Sequence, residues 1–299
     1  DPFIPVLAKR TPVVSVIYDL IPFLYKSQYQ HVHLGGYTPG HLIGYSRMKL
    51  KWKLLERQLS KFTTAKRVIS ISEHSKKDLL AFVPGVNPDR VDVTPLGPGS
   101  SKIKPTVSKQ LKPLIQKNFL FYLGGADPRK GLVPFMKDME KVWKEHSETM
   151  VVFAGKEITN YEVPEARKLR DTIASSSRSE QVFCFGYVSD SEMYWLYENA
   201  NAFVFPSRYE GFGLPVLEAM MAGSPVVTYN NSSIPEVAGN ATVLVEDGES
   251  LAPALNRLLA DKALRSKMVD LGKKQASLFT WAKTARATLE TLKKAAEDK

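Results

Sequence analysis

The fold of this chain is indicated most clearly by the stretch Phe203-Val-Phe-Pro-Ser-Arg-Tyr-Glu-Gly-Phe-Gly-Leu-Pro-Val-Leu-Glu218. An apolar run of strand length comes first, a turn with two glycines follows, and a helix is predicted to open at Pro215. Glycine lets backbone N–H groups come close to a ligand, and a helix start offers unpaired N–H donors and a positive dipole end. One carboxylate stands on each side of the helix start, Glu210 and Glu218. The stretch therefore predicts a strand–turn–helix unit that holds an anion, although glycines in such turns also serve close packing alone.

The residues around this stretch make the pattern specific. Seven residues separate the two glutamates, Pro-Ser precedes them, and Ala219-Met-Met-Ala-Gly-Ser-Pro-Val-Val227 follows. Together they resemble the signature of glycosyltransferase family 4, the retaining sugar-nucleotide enzymes of GT-B fold. The resemblance implies an α/β protein with two Rossmann-like, doubly wound domains that face a cleft.

The second part of the chain shows regular alternation of strand and helix patterns, which predicts a parallel sheet. A capping box at Ser189–Glu192 starts one helix, and Gly223 is placed to end the helix that opens at Pro215. We assign residues 118–279 to a donor-nucleotide-binding Rossmann-like domain. Its predicted strands are Phe119–Leu123, Met150–Ala154, Gln181–Phe185, Ala202–Phe205, Pro225–Thr228 and Thr242–Val245.

The first part, residues 1–117, is predicted to be a partial acceptor-side Rossmann-like domain with a linker. Pro12–Tyr18, Arg67–Ile71 and Arg90–Thr94 have the pattern of strands, and Gly97–Asn118 is rich in Pro, Ser and Lys, as in an interdomain connection. Members of the resembled family open with a further strand and a glycine-rich turn. We therefore expect this domain to be incomplete, with an N-terminal segment omitted.

The last residues, 280–299, are predicted to form a helix that returns to the first domain, as the resemblance implies. Trp281, Ala285 and Leu289 have helical spacing and are its expected packing positions.

Composition narrows the classes of function. The chain has 299 residues, enough for two cores, and no run that spans a bilayer. Its single cysteine, Cys184, excludes a disulfide framework and a cysteine metal site, which favours a reducing, cytoplasmic compartment. The sequence also lacks Asp-x-Asp, so we predict no metal and no cofactor other than the nucleotide-sugar substrate.

The net charge of +10 comes from the first part of the chain. Residues 1–117 hold 19 lysines and arginines against 7 acids, and the remainder holds 22 against 24. The densest segment is Arg47–Lys61, where Leu50, Leu54 and Leu55 have helical spacing and Trp52 is expected at their edge. A solvated helix face and a patch for anionic membrane lipids both fit this segment, and the latter would place the protein on the cytoplasmic membrane face. A nucleic-acid partner is not expected, because no recognised module is present.

A second motif, Phe121-Tyr-Leu-Gly-Gly-Ala-Asp-Pro-Arg-Lys-Gly131, follows the first strand of the second domain. Adjacent cations after a glycine turn suit a diphosphate, which needs charge neutralisation and directed donors. A solvated surface pair is the alternative. The resemblance favours the diphosphate and implies that Arg129 and Lys130 bind it.

The resemblance also assigns the remaining roles. Glu210 would hold sugar hydroxyls and face the reacting carbon, and Glu218 would accept hydrogen bonds from the ribose hydroxyls. Asp19 ends a strand of the first domain and is expected to face the cleft, although a turn-residue role fits it equally well. The other predicted donor-binding residues are Gly124, Gly125, Tyr187, Val188, Gly211, Phe212, Gly213 and Leu214.

The function predicted from this pattern is metal-independent, retaining transfer of a sugar from a nucleotide-diphosphate sugar. The acceptor would be a glycan, a polysaccharide or a lipid-linked sugar. Two alternatives remain open: a catalytically idle nucleotide-sugar or membrane-surface binding module, and another GT-B enzyme such as an epimerase.

Overall fold

The computed structural model describes residues 12–26, 50, 52–54, 56–99 and 103–298. The chain divides into two compact units. The first consists of Asp1–Leu96 and Trp281–Lys299, and the second of Gly97–Thr280.

The first unit contains a parallel sheet of three strands in the order β1-β2-β3. These are Val14–Ile17, Arg67–Ser70 and Val91–Val93. Among its helices in this part of the chain are α1 (Ile21–Leu24), α2 (Lys61–Thr64) and α3 (Glu73–Phe82). Apolar side chains of the strands and of α3, among them Ile17, Val68 and Leu79, form its core.

The second unit is built on a parallel sheet of six strands in the order β6-β5-β4-β7-β8-β9. The strands are β4 (Phe119–Leu123), β5 (Met150–Ala154), β6 (Val182–Phe185), β7 (Ala202–Phe205), β8 (Val226–Asn230) and β9 (Val243–Glu246). This is the strand order of a dinucleotide-binding Rossmann sheet, in which the direction of winding reverses between β4 and β7. Ligands of such sheets bind outside the carboxyl ends of the strands at that reversal.

Helices follow the strands and cover this sheet. They are α4 (Leu132–Glu145), α5 (Pro164–Ala174), α6 (Asp190–Asn199), α7 (Leu214–Ala222), α8 (Ile234–Ala238), α9 (Ala252–Ala260) and α10 (Lys262–Ala276). The capping box predicted at Ser189 and Glu192 is present, and Gly223 ends α7 in a left-handed conformation at φ 83°. Both local predictions are confirmed.

Residues 103–117 pack with the second unit, whereas the sequence suggested a connection that belongs to the first. Leu111 and Leu114 are fully buried in a 3-10 segment, and the Thr106 N–H donates to the Ser191 carbonyl at 3.1 Å. The apolar side chains among the lysines and prolines explain the difference, because burying them fixes this segment on its unit.

The C-terminal helix α11 (Trp281–Glu297) belongs to the first unit and lies against β1 and β2. The packing positions predicted for it are wrong, since Trp281 and Leu289 are 55% and 51% exposed. The buried face carries Thr291 and Ala295 instead. The buried Thr291 and the half-exposed Lys294 both bind Asp92, whose carboxylate accepts from Thr291 Oγ1 at 3.2 Å and from Lys294 Nζ at 2.9 Å.

The basic segment also buries a different face from the one expected. Trp52 is 8% exposed and meets the Phe23 ring edge to face at 5.9 Å, whereas Leu50 and Leu54 are 59% and 49% exposed. Positions 47–49, 51 and 55 lie outside the described residues. None of the described helices is both long and apolar enough to cross a membrane.

Candidate functional site

Two loops meet where the winding of the six-stranded sheet reverses. The loop after β4 contains a 3-10 turn at Pro128–Lys130, begun by Asp127, whose Oδ1 accepts the Arg129 N–H at 3.0 Å. The loop after β7 joins it through the Arg208 N–H, which donates to the Arg129 carbonyl at 2.8 Å. Gly131, at φ 67°, lies so close to the Pro206 carbonyl that a Cβ has no room there. The predicted cation pair is thereby fixed beside the predicted anion-binding turn.

The carboxylate of Glu210 is the centre of this junction. Its Oε1 accepts hydrogen bonds from Arg129 Nη1 at 2.9 Å and from Lys130 Nζ at 2.6 Å. Ser207 Oγ donates to the same oxygen at 2.5 Å. Glu210 is only 8% exposed, so these ion pairs lie largely out of water. Charge-assisted bonds of this kind are stronger than neutral ones, and burial increases the attraction.

Lys130 is a strongly desolvated cation. Burial lowers the pKa of its ammonium, the nearby guanidinium of Arg129 lowers it further, and the negative charge of Glu210 opposes both. Its Nζ also lies 4.9 Å from the centroid of the Phe205 ring. A cation held in this way gains much from a second anion, because that anion supplies the solvation that burial removed.

Serines of a third loop fix the backbone of Glu210. The Glu210 N–H donates to Ser232 Oγ at 2.9 Å, and Ser233 Oγ donates to the Glu210 carbonyl at 2.9 Å. Both serines follow β8, the neighbour of β7. The roles of Ser207 and Ser232 were missed from the sequence. The available signal was hydroxyl residues directly after two strands whose carboxyl ends share one edge of the sheet.

The turn continues from Glu210 into the N-terminus of α7. Gly213 caps this helix at φ 102°, a conformation that favours glycine, and its carbonyl accepts the N–H groups of Val216 and Leu217. Leu214 is the first helical residue, as the sequence predicted to within one position. The Phe212 ring is 4% exposed and packs edge to face on Phe279 at 5.9 Å, so its side chain anchors the turn. Gly211 lies between these residues and Glu210.

The other glycine turn, at Gly124 and Gly125, lies against the carboxylate of Glu157. Glu157 Oε2 accepts the Ala126 N–H at 2.9 Å, and a Cβ at Gly125 would lie 2.6 Å from the same oxygen. Tyr122, which is fully buried, donates its hydroxyl to the Gly125 carbonyl at 2.9 Å. Glu157 was not predicted, because it lies after β5 and nothing in the local sequence links it to Gly125.

Tyr187 and Val188 follow β6, which β5 separates from β4. Tyr187 is 67% exposed, with Lys156 Nζ 5.6 Å from its ring centroid, and Val188 is 7% exposed. They stand at the same edge of the sheet as the Glu210 cluster, two strands away from the β4 loop. A contact with a nucleotide base therefore stays a prediction.

Glu218 does not join the Glu210 cluster. It lies in α7 and its carboxylate accepts the backbone N–H of Gly99. Burial raises the pKa of Glu218, the Gly99 N–H lowers it in part, and the charge of Asp190 raises it again. The group is an acceptor that already uses one backbone donor.

Asp19 lies in the first unit, directly after β1 and Tyr18. Its Oδ1 accepts the Ile21 N–H at 3.0 Å, which is the turn role that the sequence left open. Tyr18 is 61% exposed, and its carbonyl accepts from Ser75 Oγ at 3.1 Å.

No three His, Cys, Asp or Glu side chains form a group suited to a metal ion within the described ranges. Cys184 lies half-buried on β6, and burial raises the pKa of its thiol to about 11, so the thiol stays protonated. The absence of a metal remains a prediction.

Comparison with known families fixes the class of this chain. Residues 104–275 match the family model described as glycosyl transferases group 1. The chain belongs to this family. The matched range includes the cation turn, the Glu210 cluster and Glu218, which confirms the resemblance seen in the Phe203–Glu218 stretch.

Several curated relatives of this group 1 glycosyl transferase are named as mannosyltransferases. It is 29% identical to O-antigen chain mannosyltransferase B of Escherichia coli over 238 residues, which cover 77% of this chain and 61% of the relative. It is 27% identical to O-antigen chain mannosyltransferase RfbU of Salmonella typhimurium, covering 85% of this chain and 62% of the relative. The chain thus spans about three fifths of the length of these two proteins.

Solved structures confirm the fold of this group 1 glycosyl transferase. Sucrose-phosphate synthase from Thermosynechococcus elongatus superposes with a TM-score of 0.73 at 21% identity, covering 96% of this chain and 68% of that one. Anabaena HepE in complex with UDP and glucose gives a TM-score of 0.72 at 18% identity, covering 95% and 72%. The predicted α/β fold class with Rossmann-like units is therefore confirmed.

Proposed function

We propose that this chain transfers a sugar from a nucleotide-diphosphate sugar to a glycan, polysaccharide or lipid-linked acceptor, with retention at the sugar and without a metal. The observation that carries the proposal is the meeting of Arg129 and Lys130 at Glu210 Oε1, beside the N-terminus of α7. A diphosphate requires positive charge that is withdrawn from water, and these two cations supply it beside the positive dipole end of a helix.

The same groups are placed to act in the reaction. Breaking the bond between the anomeric carbon and the phosphate oxygen leaves negative charge on the departing nucleoside diphosphate. Arg129, Lys130 and the N–H groups at the start of α7 stabilise that charge as it develops. The acceptor oxygen forms the new bond on the face that the phosphate leaves, and its proton passes to a phosphate oxygen.

Glu210 has a second function in this scheme. In the free protein it neutralises both cations, which keeps a buried pair of positive charges tolerable. When a diphosphate takes over the cations, the carboxylate becomes free to accept hydrogen bonds from sugar hydroxyls. The metal that other transferases use to neutralise a diphosphate is replaced here by the two side chains.

The remaining donor contacts follow from the sequence resemblance. Glu218 would bind the ribose, and the backbone at Tyr187 and Val188 would border the base. The curated relatives are named as mannosyltransferases, two of them for O-antigen chains. We therefore take a nucleotide-diphosphate mannose as the donor and a growing polysaccharide as the acceptor class.

The test is release of free nucleotide from GDP-mannose, UDP-glucose and related donors, with and without mannose-bearing acceptor oligosaccharides. The full-length protein should release nucleotide only with donor and acceptor together, with unchanged rate in excess EDTA, and the anomeric configuration of the product should match the donor. Tight donor binding without turnover would support the binding-module alternative instead.

The basic segment supports a membrane partner for the same enzyme. Leu50 and Leu54 are about half exposed beside exposed Lys53, while Trp52 fixes this helical stretch to the first unit. Exposed leucines among lysines suit insertion at an anionic lipid surface. Such docking would bring the enzyme to a lipid-linked acceptor.

A further inference from the structure

The hydroxyl of Tyr194 has no hydrogen-bond partner in the described part of the chain, although the side chain is only 4% exposed. It lies on α6, the helix that the Ser189 capping box starts. A buried hydroxyl without a partner destabilises the fold, so its presence at this position needs a physical explanation.

The position of this hydroxyl is defined by Gly99. A Cβ added at Gly99 would lie 2.9 Å from Tyr194 Oη and 3.1 Å from Glu218 Oε1. The phenol and the carboxylate therefore flank one glycine. The Gly99 N–H donates to Glu218, so the glycine backbone covers the phenol and the carboxylate, and a nucleotide that reaches them takes the place of this backbone.

The two side chains have complementary hydrogen-bonding character. Burial raises the pKa of Tyr194 to about 12, and the charges of Glu218 and Asp190 act in the same direction. The phenol is consequently protonated at all ordinary pH values and can donate. Glu218, when ionised, can only accept. Neighbouring donor and acceptor groups match a vicinal diol, in which one hydroxyl can donate and the other can accept.

We propose that the Tyr194 hydroxyl is a further specificity residue that donates a hydrogen bond to a ribose oxygen of the nucleotide, beside Glu218. This inference rests on the proposed function, because it requires a nucleotide in the site. It adds a residue on a different helix to those that the sequence motifs supply. The discrimination it provides is for ribose over deoxyribose.

A second tyrosine on the same helix provides a matched control. The Tyr197 hydroxyl also lacks a partner within the described ranges, and Glu218 raises its pKa as well, after burial. However, Tyr197 is fully buried, with its ring edge-on to Phe121 at 5.2 Å and to Phe203 at 5.0 Å. It shares the helix and the neighbouring charge with Tyr194 but is enclosed by the core.

The test is calorimetric binding of GDP and UDP, of their 2′-deoxy and 3′-deoxy counterparts, and of inorganic pyrophosphate. Tyr194→Phe should weaken the preferred ribonucleotide about 3–10-fold, the range expected for one neutral hydrogen bond. The same variant should bind pyrophosphate as the wild type does. With one of the two deoxy nucleotides the loss should shrink to nearly nothing. Tyr197→Phe should bind every probe with wild-type affinity.

Each contrary result has a separate meaning. Wild-type protein that binds none of the nucleoside diphosphates overturns the proposed function and this inference with it. Wild-type binding that Tyr194→Phe leaves unchanged overturns the inference alone. So does an equal loss for pyrophosphate, an equal loss in Tyr197→Phe, or a loss that persists with both deoxy nucleotides. Thermal unfolding of both variants confirms that each is folded.

Discussion

Lys130 and Glu210 are 80 residues apart in the chain, yet Lys130 Nζ donates to Glu210 Oε1 at 2.6 Å. They come from the loops after β4 and β7, the two strands between which the winding of the sheet reverses. Arg129 donates to the same oxygen, so one carboxylate holds both cations of the turn. The proposed donor site thus contains its own anion, which a diphosphate must replace.

Glu210→Ala should abolish sugar transfer while nucleotide binding persists. The variant loses the acceptor proposed for the sugar hydroxyls, but it also removes the competitor for Arg129 and Lys130. We therefore expect nucleoside diphosphate affinity equal to or tighter than that of the wild type, and a rate of transfer lower by at least about 10²-fold. Calorimetry and a nucleotide-release assay measure the two quantities.

Glu210→Gln is the control for shape, since the amide keeps the volume and loses the charge. It should resemble the alanine variant in both measurements. Wild-type turnover in either variant would remove Glu210 from the mechanism.

Lys130→Ala should lower the rate of transfer by about 10²–10³-fold, the usual effect of removing one group that stabilises developing charge. Lys141→Ala is the matched control, because that lysine is on the same unit with a side chain that is 59% exposed and outside the cluster. It should transfer sugar at the wild-type rate. Equal losses in both variants would indicate a general effect of charge and contradict the assigned role.

Gly131→Ala should lower the free energy of unfolding by more than the usual cost of placing alanine in a left-handed backbone conformation. Gly131 at φ 67° and Gly248 at φ 89° both have left-handed backbones, but a Cβ would strike the Pro206 carbonyl only at Gly131. Alanine at Gly248 meets nothing within 4 Å and should cost about 1–2 kcal/mol, from the backbone alone. Chemical denaturation compares the two free energies of unfolding, and similar costs would mean that the approach to Pro206 is not tight.

Asp92 should make stability depend on pH in the acidic range. Burial raises its pKa, but the hydrogen bond and charge of Lys294, with smaller contributions from Thr291 and Arg67, bring the pKa below its ordinary value of 3.8. A lowered folded-state pKa means that the carboxylate stabilises the fold above pH 3.8 and that this stabilisation is lost as the pH falls through the folded value.

Asp92→Asn is the variant that isolates this effect. It should unfold at a lower temperature than the wild type at pH 7, and the difference should shrink as the pH falls below 3.8. Thermal unfolding at pH 3 to 7 measures it. A difference that stays constant over that range would show that the charge of Asp92 does not matter for the attachment of α11.

Reversing the charge of the basic segment should release the protein from lipid. A variant with glutamate in place of Lys49, Lys51 and Lys53 should sediment less with vesicles rich in anionic lipid. Each basic residue near such a surface contributes about 1 kcal/mol to the binding free energy. The control is a variant with glutamate in place of three lysines of α10, Lys262, Lys267 and Lys274, which changes the net charge by the same amount. Unchanged sedimentation of the first variant would leave the segment as a solvated helix face.

The strands of the second unit and the position of the turn at Glu210 were predictable from the local sequence. Strands β4, β5 and β7 begin and end at the residues predicted for them, because each is an unbroken apolar run between turn residues. The Ser189 capping box and the Gly223 helix end were also predictable. These features have local signals: a strand that is buried on both faces is a continuous apolar run, and a helix cap is recognised from residues within one turn of it.

Which side chains come into contact could not be predicted from the sequence. Glu210 takes Arg129 and Lys130 as partners, and Gly99 comes between Glu218 and Tyr194, across long separations in the chain. Helix α11 buries Thr291 and leaves Trp281 and Leu289 exposed, since the charged Asp92 of β3 needs hydrogen bonds more than apolar contact. Periodicity shows that a helix has an apolar side, but the surface it meets decides which side faces inward.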